Sequence, residues 1–213
     1  MKVDIRSILR DERGNMTVFV LSIFTFMLLV LFTALYNFSS VFVGKEQAMN
    51  SAQVASQSGV KSVYDAMEMA IQAYDVWAIA NRKPPLSPKV SQRESSLRAS
   101  NPEWAASEVR YTAIDQVLAD HLGSNPDLMG FVTIGLAEAR LEIPGVVTYI
   151  LHENDASLKN LDVFNGDDRI EVTAAVDYES DNMGFEFLST YRDEIVQTGE
   201  SRKIGFLVAV PGW

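Results

Sequence analysis

One run without any charged residue, residues 16–43, most constrains what this chain can fold into. As a helix its 28 residues would be roughly 40 Å long, against a bilayer hydrocarbon core of about 30 Å. In hydrocarbon every backbone N–H and C=O must be satisfied within the chain, and a lone apolar run can do this only as a helix. The run therefore predicts a transmembrane helix, and a membrane is the first partner it implies.

Basic residues beside the run set its expected orientation. Arg10 and Arg13 lie on the N-terminal side, whereas Lys45 alone lies close to the other end. Because basic residues favour the cytoplasmic side, we expect residues 1–15 to be a cytoplasmic leader and the rest to be extracytoplasmic. A cleavable signal peptide has an apolar core of about 7–15 residues and then a small-x-small site, neither of which is found here. We therefore expect a permanent single-pass anchor in the cell membrane.

Charge and cysteine content exclude several classes of function. The chain of 213 residues has a formal net charge of −10, so we expect no nucleic-acid partner. It has no cysteine, which excludes disulfides, thiolate nucleophiles and cysteine metal sites. The domain beyond the membrane must be stabilised by packing.

Residues 44–80 form the next predicted segment, an amphipathic helix outside the membrane. Its apolar residues recur at steps of three and four, and the resulting stripe must be covered. Packing on the protein's own sheet is favoured over packing in an oligomeric bundle, which remains open. Four small residues would let another backbone approach and are the candidates for helix packing: Ser51, Ala52, Ala55 and Gly59. A bend at Gly44 or Gly59 would separate this helix from the span.

The remaining chain predicts an α+β fold with a small antiparallel sheet. Residues 81–100 hold three of the seven prolines and predict a loop or linker, followed by an extracytoplasmic α+β domain over residues 101–213. Asn101-Pro102-Glu103 predicts a helix start, and Gly123 its end. Candidate strands are residues 139–143, 146–151, 169–178 and 203–210. Residues 185–198 could be helix or strand, and strand is favoured.

No motif in the sequence carries catalysis, so we expect no enzyme activity and no cofactor. There is no nucleophile elbow, P-loop, dinucleotide fingerprint or zinc-binding HExxH. His121 is expected to cap or flank a helix C-terminus, and His152 to follow a strand. One group of oxygen ligands around a turn is a weak calcium candidate: Asp155, Asp162, Asn165, Asp167 and Asp168. Its spacing does not match an EF-hand loop, and a solvated turn is the favoured interpretation.

The N-terminal third resembles the TadE/TadG-like proteins of the Tad (Flp) pilus system. Glu12-Arg13-Gly14-Asn15 runs directly into the apolar span, and KEQAMNSAQVASQSGV follows at 45–60. Residues that match the family's Ala- and Gln-rich helix are Gln47, Ala48, Asn50, Ala52 and Ala55, and those that resemble its late strand are Val172, Ala174, Val176 and Tyr178. The resemblance implies pilin or assembly-platform partners, and it makes Gly14 and Asn15 the candidate processing junction.

One departure from the family pattern bears on the role. Processed members carry Glu at the fifth position after the cleaved glycine, where this chain has Phe19. The resemblance therefore favours an unprocessed TadG-like or accessory protein over a processed minor pilin. We expect a structural role in pilus assembly, with possible homo-oligomers through the long helix; the alternative is a membrane-tethered ligand-binding or sensor module. Candidates for helix association in the bilayer are Thr17, Ser22, Thr25 and Thr33, each of which could instead bond its own backbone.

Overall fold

The computed structural model describes residues 12–164, 166, 168–180 and 190–213, and the side chains from residue 16 onward. Among these residues, four α-helices precede a three-stranded sheet, which confirms the α+β class. In chain order the elements are α1 (Glu12–Ala80), α2 (Ser87–Ser100), α3 (Ala106–Leu122), α4 (Pro126–Glu153), β1 (Ser157–Val163), β2 (Ile170–Glu179), β3 (Arg192–Glu200) and a 3-10 helix (Gly205–Ala209). The strands are ordered β1-β2-β3, and β1 pairs antiparallel to β2 with an irregularity between Leu158 and Asn160.

The chain divides into two compact units. The first comprises Met1–Gly44 and Asp177–Asp193, and the second comprises Lys45–Val176 and Glu194–Trp213. The first unit contains the charge-free part of α1 and the ends of β2 and β3. The second contains the remaining helices, β1 and the hydrophobic core.

In the second unit, the stripe on α1 is the centre of the core. Its buried residues follow the predicted steps of three and four: Ala48, Ala52, Ala55, Val60, Val63, Tyr64, Met67, Ala70, Ile71 and Tyr74. Met49, by contrast, is exposed. The elements that cover this stripe belong to the same chain, and they include helices as well as the expected sheet.

Small residues allow three close approaches to α1. A Cβ built on Gly199 of β3 would lie 2.5 Å from the carbonyl carbon of Ala52 and 2.4 Å from the amide nitrogen of Gln53. On the helix itself, Gly59 lies against Ile170 and Ile143. A third contact brings Gly135 of α4 against α1, where an added Cβ would lie 3.2 Å from the carbonyl oxygen of Ala66.

The prediction of a loop over residues 81–100 is wrong for its greater part, because Ser87–Ser100 is helical. Pro88 stands in the first turn, where a missing N–H costs no intrahelical bond. The free N–H groups of Leu86 and Ser87 donate to the carboxylate of Asp75 on α1. A cap supplied from a distant helix leaves no local sequence signal. Asn101, predicted to start the next helix, instead ends this one, and α3 begins at Ala106.

The two strands predicted at 139–143 and 146–151 are also wrong, since both lie within α4. Pro144-Gly145 interrupts the apolar pattern in the sequence, but the helix continues through Pro144. Its buried face follows a helical period over the full length: Leu128, Val132, Gly135, Leu136, Ala139, Ile143, Val147 and Leu151. Asn125 caps this helix by accepting from the Leu128 N–H at 3.2 Å.

The remaining strand predictions have mixed outcomes. The strand at 169–178 is confirmed as β2, with Ile170, Val172, Ala174 and Val176 buried on one face. The strand at 185–198 agrees with β3 from Arg192 onward, whereas residues 185–189 lie outside the described residues. The strand at 203–210 is wrong, because Gly205–Ala209 forms a 3-10 helix. Gly123 does follow the last residue of α3, as predicted.

We expect Gly199→Ala to lower the free energy of unfolding by about 1–3 kcal/mol or more, because its Cβ would meet the backbone of α1 and not a movable side chain. Denaturant unfolding of the full chain in detergent, followed by circular dichroism, measures this change. Gly130→Ala is the matched control, since nothing lies within 4 Å of its added Cβ and alanine favours a helix by up to about 1 kcal/mol. Equal stability of the two variants would contradict the close approach.

Candidate functional site

The charge-free part of α1 presents its apolar side chains outward. It is long and apolar enough to cross a membrane, and only 6% of its most apolar window is buried within the chain. Its own phenylalanine and leucine side chains are exposed on all sides but one, and they include Phe19, at the position where processed family members carry Glu. Length and composition of this helix support association with a membrane.

The four hydroxyl residues of this helix differ in their surroundings. Ser22 donates to the Val18 carbonyl at 2.8 Å and Thr33 to the Leu29 carbonyl at 3.0 Å, so each bonds its own backbone. Thr17 and Thr25 are exposed, and Thr33 is buried. The junction residues Gly14 and Asn15 lie in the first turns of α1, and the side chain of Asn15 is outside the described part of the chain. A role in helix association or processing stays a prediction for all of them.

The candidate helix-packing residues lie in the second unit. Ser51, Ala52, Ala55 and Gly59 are all buried within the chain. Ala52 and Gly59 meet Gly199 of β3 and Ile170 of β2, as described above. These contacts lie within one chain, and packing of the same residues against another subunit stays a prediction.

A buried cluster of polar groups surrounds Asp115, which lies on α3 and is 7% exposed. The Tyr64 hydroxyl of α1 lies 2.9 Å from both carboxylate oxygens. The Gly205 backbone N–H donates to Oδ1 at 3.0 Å, and Arg202 Nη2 lies 3.2 Å from Oδ2. One carboxylate therefore joins α1, α3 and the C-terminal segment.

Aromatic rings complete this cluster. Tyr64 and Tyr111 are stacked with centroids 4.1 Å apart and an interplanar angle of 9°. The Arg202 guanidinium lies 5.5 Å from the Tyr64 centroid and 5.6 Å from that of Tyr111, within range of a cation–π interaction. The cluster therefore links α1, α3 and the C-terminal segment within the second unit.

Burial is the largest influence on the titration of this cluster. Loss of solvent raises the pKa of Asp115 to about 6, while Tyr64, Arg202 and the backbone N–H groups of Phe206 and Gly205 act to lower it. Burial, followed by the Asp115 charge, raises the pKa of Tyr64. The tyrosine therefore keeps its proton and acts as a donor at neutral pH.

The sequence identified Tyr64 only as part of an apolar stripe, and it missed Asp115 and Arg202. Asp115 lies three positions before Leu118, among apolar residues of α3 that recur at helical steps: Val109, Ala113, Ile114, Val117 and Leu118. A carboxylate at helical spacing within an apolar face is a signal for a buried, paired group. No comparable pattern exists for Arg202, because the fold brings the C-terminal segment to α3.

The calcium candidates are distributed over several elements. Asp155 follows the end of α4, Asp162 lies in β1, and Asp168 precedes β2. Lys203 Nζ lies 3.3 Å from the Asp168 carboxylate, so a metal ion would compete with this ammonium group for the carboxylate. Asn165 and Asp167 lie outside the described residues. Within the described part of the chain, no three acidic, histidine or cysteine side chains form a group that could hold a metal ion.

The two histidines lie at helix ends, and a small crevice lies between α1, α2 and α3. His121 lies in the last turn of α3, where Nδ1 donates to the Val117 carbonyl at 2.8 Å and Nε2 faces Lys89 Nζ at 2.7 Å. His152 lies in the last turn of α4 and does not follow a strand as predicted. A crevice of about 70 Å³ between α1, α2 and α3 contains Arg110, bound to Glu68 and Glu94. That volume admits a few waters and is far below the roughly 300 Å³ of a small-molecule site.

A comparison with protein-family models gives a match over the N-terminal part of the chain. Residues 14–62 match the Tad family, described as Flp pilus-assembly TadE/G-like. The match covers the charge-free helix and the start of the amphipathic stripe, and it confirms the resemblance over this segment. No curated protein and no solved structure matched the chain. The family match and the membrane-length helix together fit a pilus-related membrane protein.

We expect Tyr64→Phe to lower the free energy of unfolding by about 1–3 kcal/mol, because it removes a donor from a buried carboxylate. Tyr111→Phe is the matched control: its ring stacks on Tyr64, but its hydroxyl is not among the donors to Asp115. Denaturant unfolding at neutral pH measures both variants. Equal losses would show that the hydroxyl bond to Asp115 contributes nothing beyond ring packing.

The stability of the chain should depend on the proton of Asp115. Its pKa is about 6 when folded and about 4 when unfolded, so the folded state binds this proton more tightly. Stability from this proton is fully present below about pH 4 and is lost as the pH rises through 6. We expect the free energy of unfolding of Asp115→Asn, relative to the wild type, to rise by up to about 3 kcal/mol between pH 4 and pH 7. A constant difference across this range would contradict the raised pKa.

Proposed function

We propose that the chain is a bitopic membrane protein that acts structurally in Tad (Flp)-type pilus biogenesis, as a minor pilin-like or assembly accessory subunit. The observation that carries this proposal is the family match over residues 14–62, which includes the exposed, charge-free part of α1. A helix whose apolar side chains face outward requires lipid or another apolar helix around it. Binding through this helix and the folded unit, and not catalysis, is the proposed mechanism.

In this proposal the N-terminus is cytoplasmic and the folded unit is extracytoplasmic. Arg13 and its basic neighbours precede the charge-free helix, which supports that orientation. Phe19 at the position of the usual Glu supports an accessory role without processing after Gly14. The partners are pilins or proteins of the assembly platform.

Deletion of the gene tests the role directly. We expect the deletion strain to assemble fewer or shorter pili, counted by electron microscopy, with restoration by the full-length protein. A matched control replaces Phe19 with leucine, which keeps the helix apolar and should restore piliation. Replacement of both Leu28 and Leu29 by lysine should not, because two charges in the middle of the span oppose insertion by several kcal/mol. Normal pilus number and length in the deletion strain would contradict the proposal.

A further inference from the structure

One side of α1 differs from the rest of the charge-free helix. Val30, Asn37 and Ser40 are partly covered and Thr33 is only 3% exposed, whereas Phe32, Leu35 and Phe38 on the other sides are exposed. The covered residues follow one another at steps of three and four, so they lie on one face. At this face the Tyr178 hydroxyl of β2 lies 3.4 Å from the Asn37 carbonyl oxygen.

Tyr178 belongs to a short arm, residues 178–180 and 190–192, which comprises the end of β2, the start of β3 and the residues next to them. The arm continues the pairing of the two strands, since Ser180 N donates to the Tyr191 carbonyl at 2.8 Å and Tyr191 N donates to Ser180 Oγ at 2.7 Å. Glu179 and Arg192 form an ion pair at 2.9 Å. The arm and residues 12–44 of α1 belong to the same compact unit.

The sequence of α1 indicates where this contact lies relative to a bilayer. A helix needs about 20 residues to cross the hydrocarbon core, and the 20 residues 16–35 satisfy this with only four hydroxyl side chains. The next turn contains Tyr36, Asn37, Ser39 and Ser40. A boundary at Tyr36 and Asn37 places the polar turn among headgroups, where tyrosine is enriched.

We propose that the arm lies against the outer surface of the lipid bilayer at this boundary, and that the transmembrane segment ends near Tyr36 and not at Val43. The inference rests on the proposed membrane-spanning role of α1. It is continuous with that interface, because the arm contacts α1 itself at Asn37. The bilayer thereby contacts two separate stretches of the chain.

The chemistry of the arm fits this partner. Tyr191 is 60% exposed, and an exposed tyrosine ring with a polar tip suits the boundary between acyl chains and headgroups. On α1, Phe38 and Phe42 are exposed and pack edge to face with centroids 4.9 Å apart, just beyond the proposed boundary.

The absence of cysteine makes a labelling experiment direct. Single-cysteine variants at Leu28, Tyr191 and Val196 carry a nitroxide label, and the full chain is reconstituted into phosphatidylcholine–phosphatidylglycerol vesicles. Accessibility to oxygen and to a water-soluble nickel chelate then reports the depth of each label. Val196 is the matched control, because it is an exposed residue of β3 that lies outside the arm, in the second unit.

We expect the Leu28 label to be accessible to oxygen and protected from nickel. The Tyr191 label should be several-fold less accessible to nickel than the Val196 label, and more accessible to oxygen. Protection from both reagents at Tyr191 would indicate contact with protein and would overturn the inference. Equal nickel accessibility at Tyr191 and Val196 would also overturn it while leaving the membrane span intact.

Failure of the span itself gives a different result, because the Leu28 label would then be accessible to nickel, which contradicts the proposed function as well. A label at Thr190 gives a second, independent value within the arm. Circular dichroism of each variant confirms that the substitution has not unfolded the chain.

Discussion

The close approach of other backbones to α1 is the constraint on which the second unit depends. Gly199 of β3 can pass over the helix only because Ala52 and its neighbours are small, and Gly135 of α4 approaches Ala66 in the same way. Because the side chains at a contact set how closely two elements can pack, small residues are what bring helix and strand together here. The stripe of α1 is therefore the place where the sheet and the helices meet.

Much of this could be predicted from the sequence, because local periodicity determined it. The membrane-length run, the stripe over residues 44–80 and β2 all have patterns in which burial repeats at a fixed step. The small-residue segment likewise indicated a close approach, although β3 could not be named as its partner. These features depend on residues that are neighbours along the chain.

The errors arose where the deciding interaction is distant in sequence. The first turn of α2 is capped by Asp75, eleven and twelve residues earlier on another helix, and α2 itself has few buried apolar residues. In α4, Pro144-Gly145 separates two short apolar runs in the sequence, although the buried positions on either side keep one helical period. The Asp115 cluster likewise depends on residues that are distant in sequence, because Arg202 and Gly205 reach it from the far end of the chain.

The two parts of the account have different physical requirements. In the folded unit, side chains of the same chain cover the apolar stripe and form hydrogen bonds with the buried carboxylate. The charge-free helix does not, since its phenylalanine and leucine side chains remain exposed. That difference is the reason to propose a membrane for the one and protein contacts outside the membrane for the other.

The most direct test of the central claim is the N-terminal sequence of the protein purified from the membrane fraction, determined by mass spectrometry. The account predicts that residues 16–43 are retained in the mature chain, together with Gly14 and Asn15. A mature protein that begins near Tyr36 and is released from the membrane would contradict a permanent anchor and the structural role built on it.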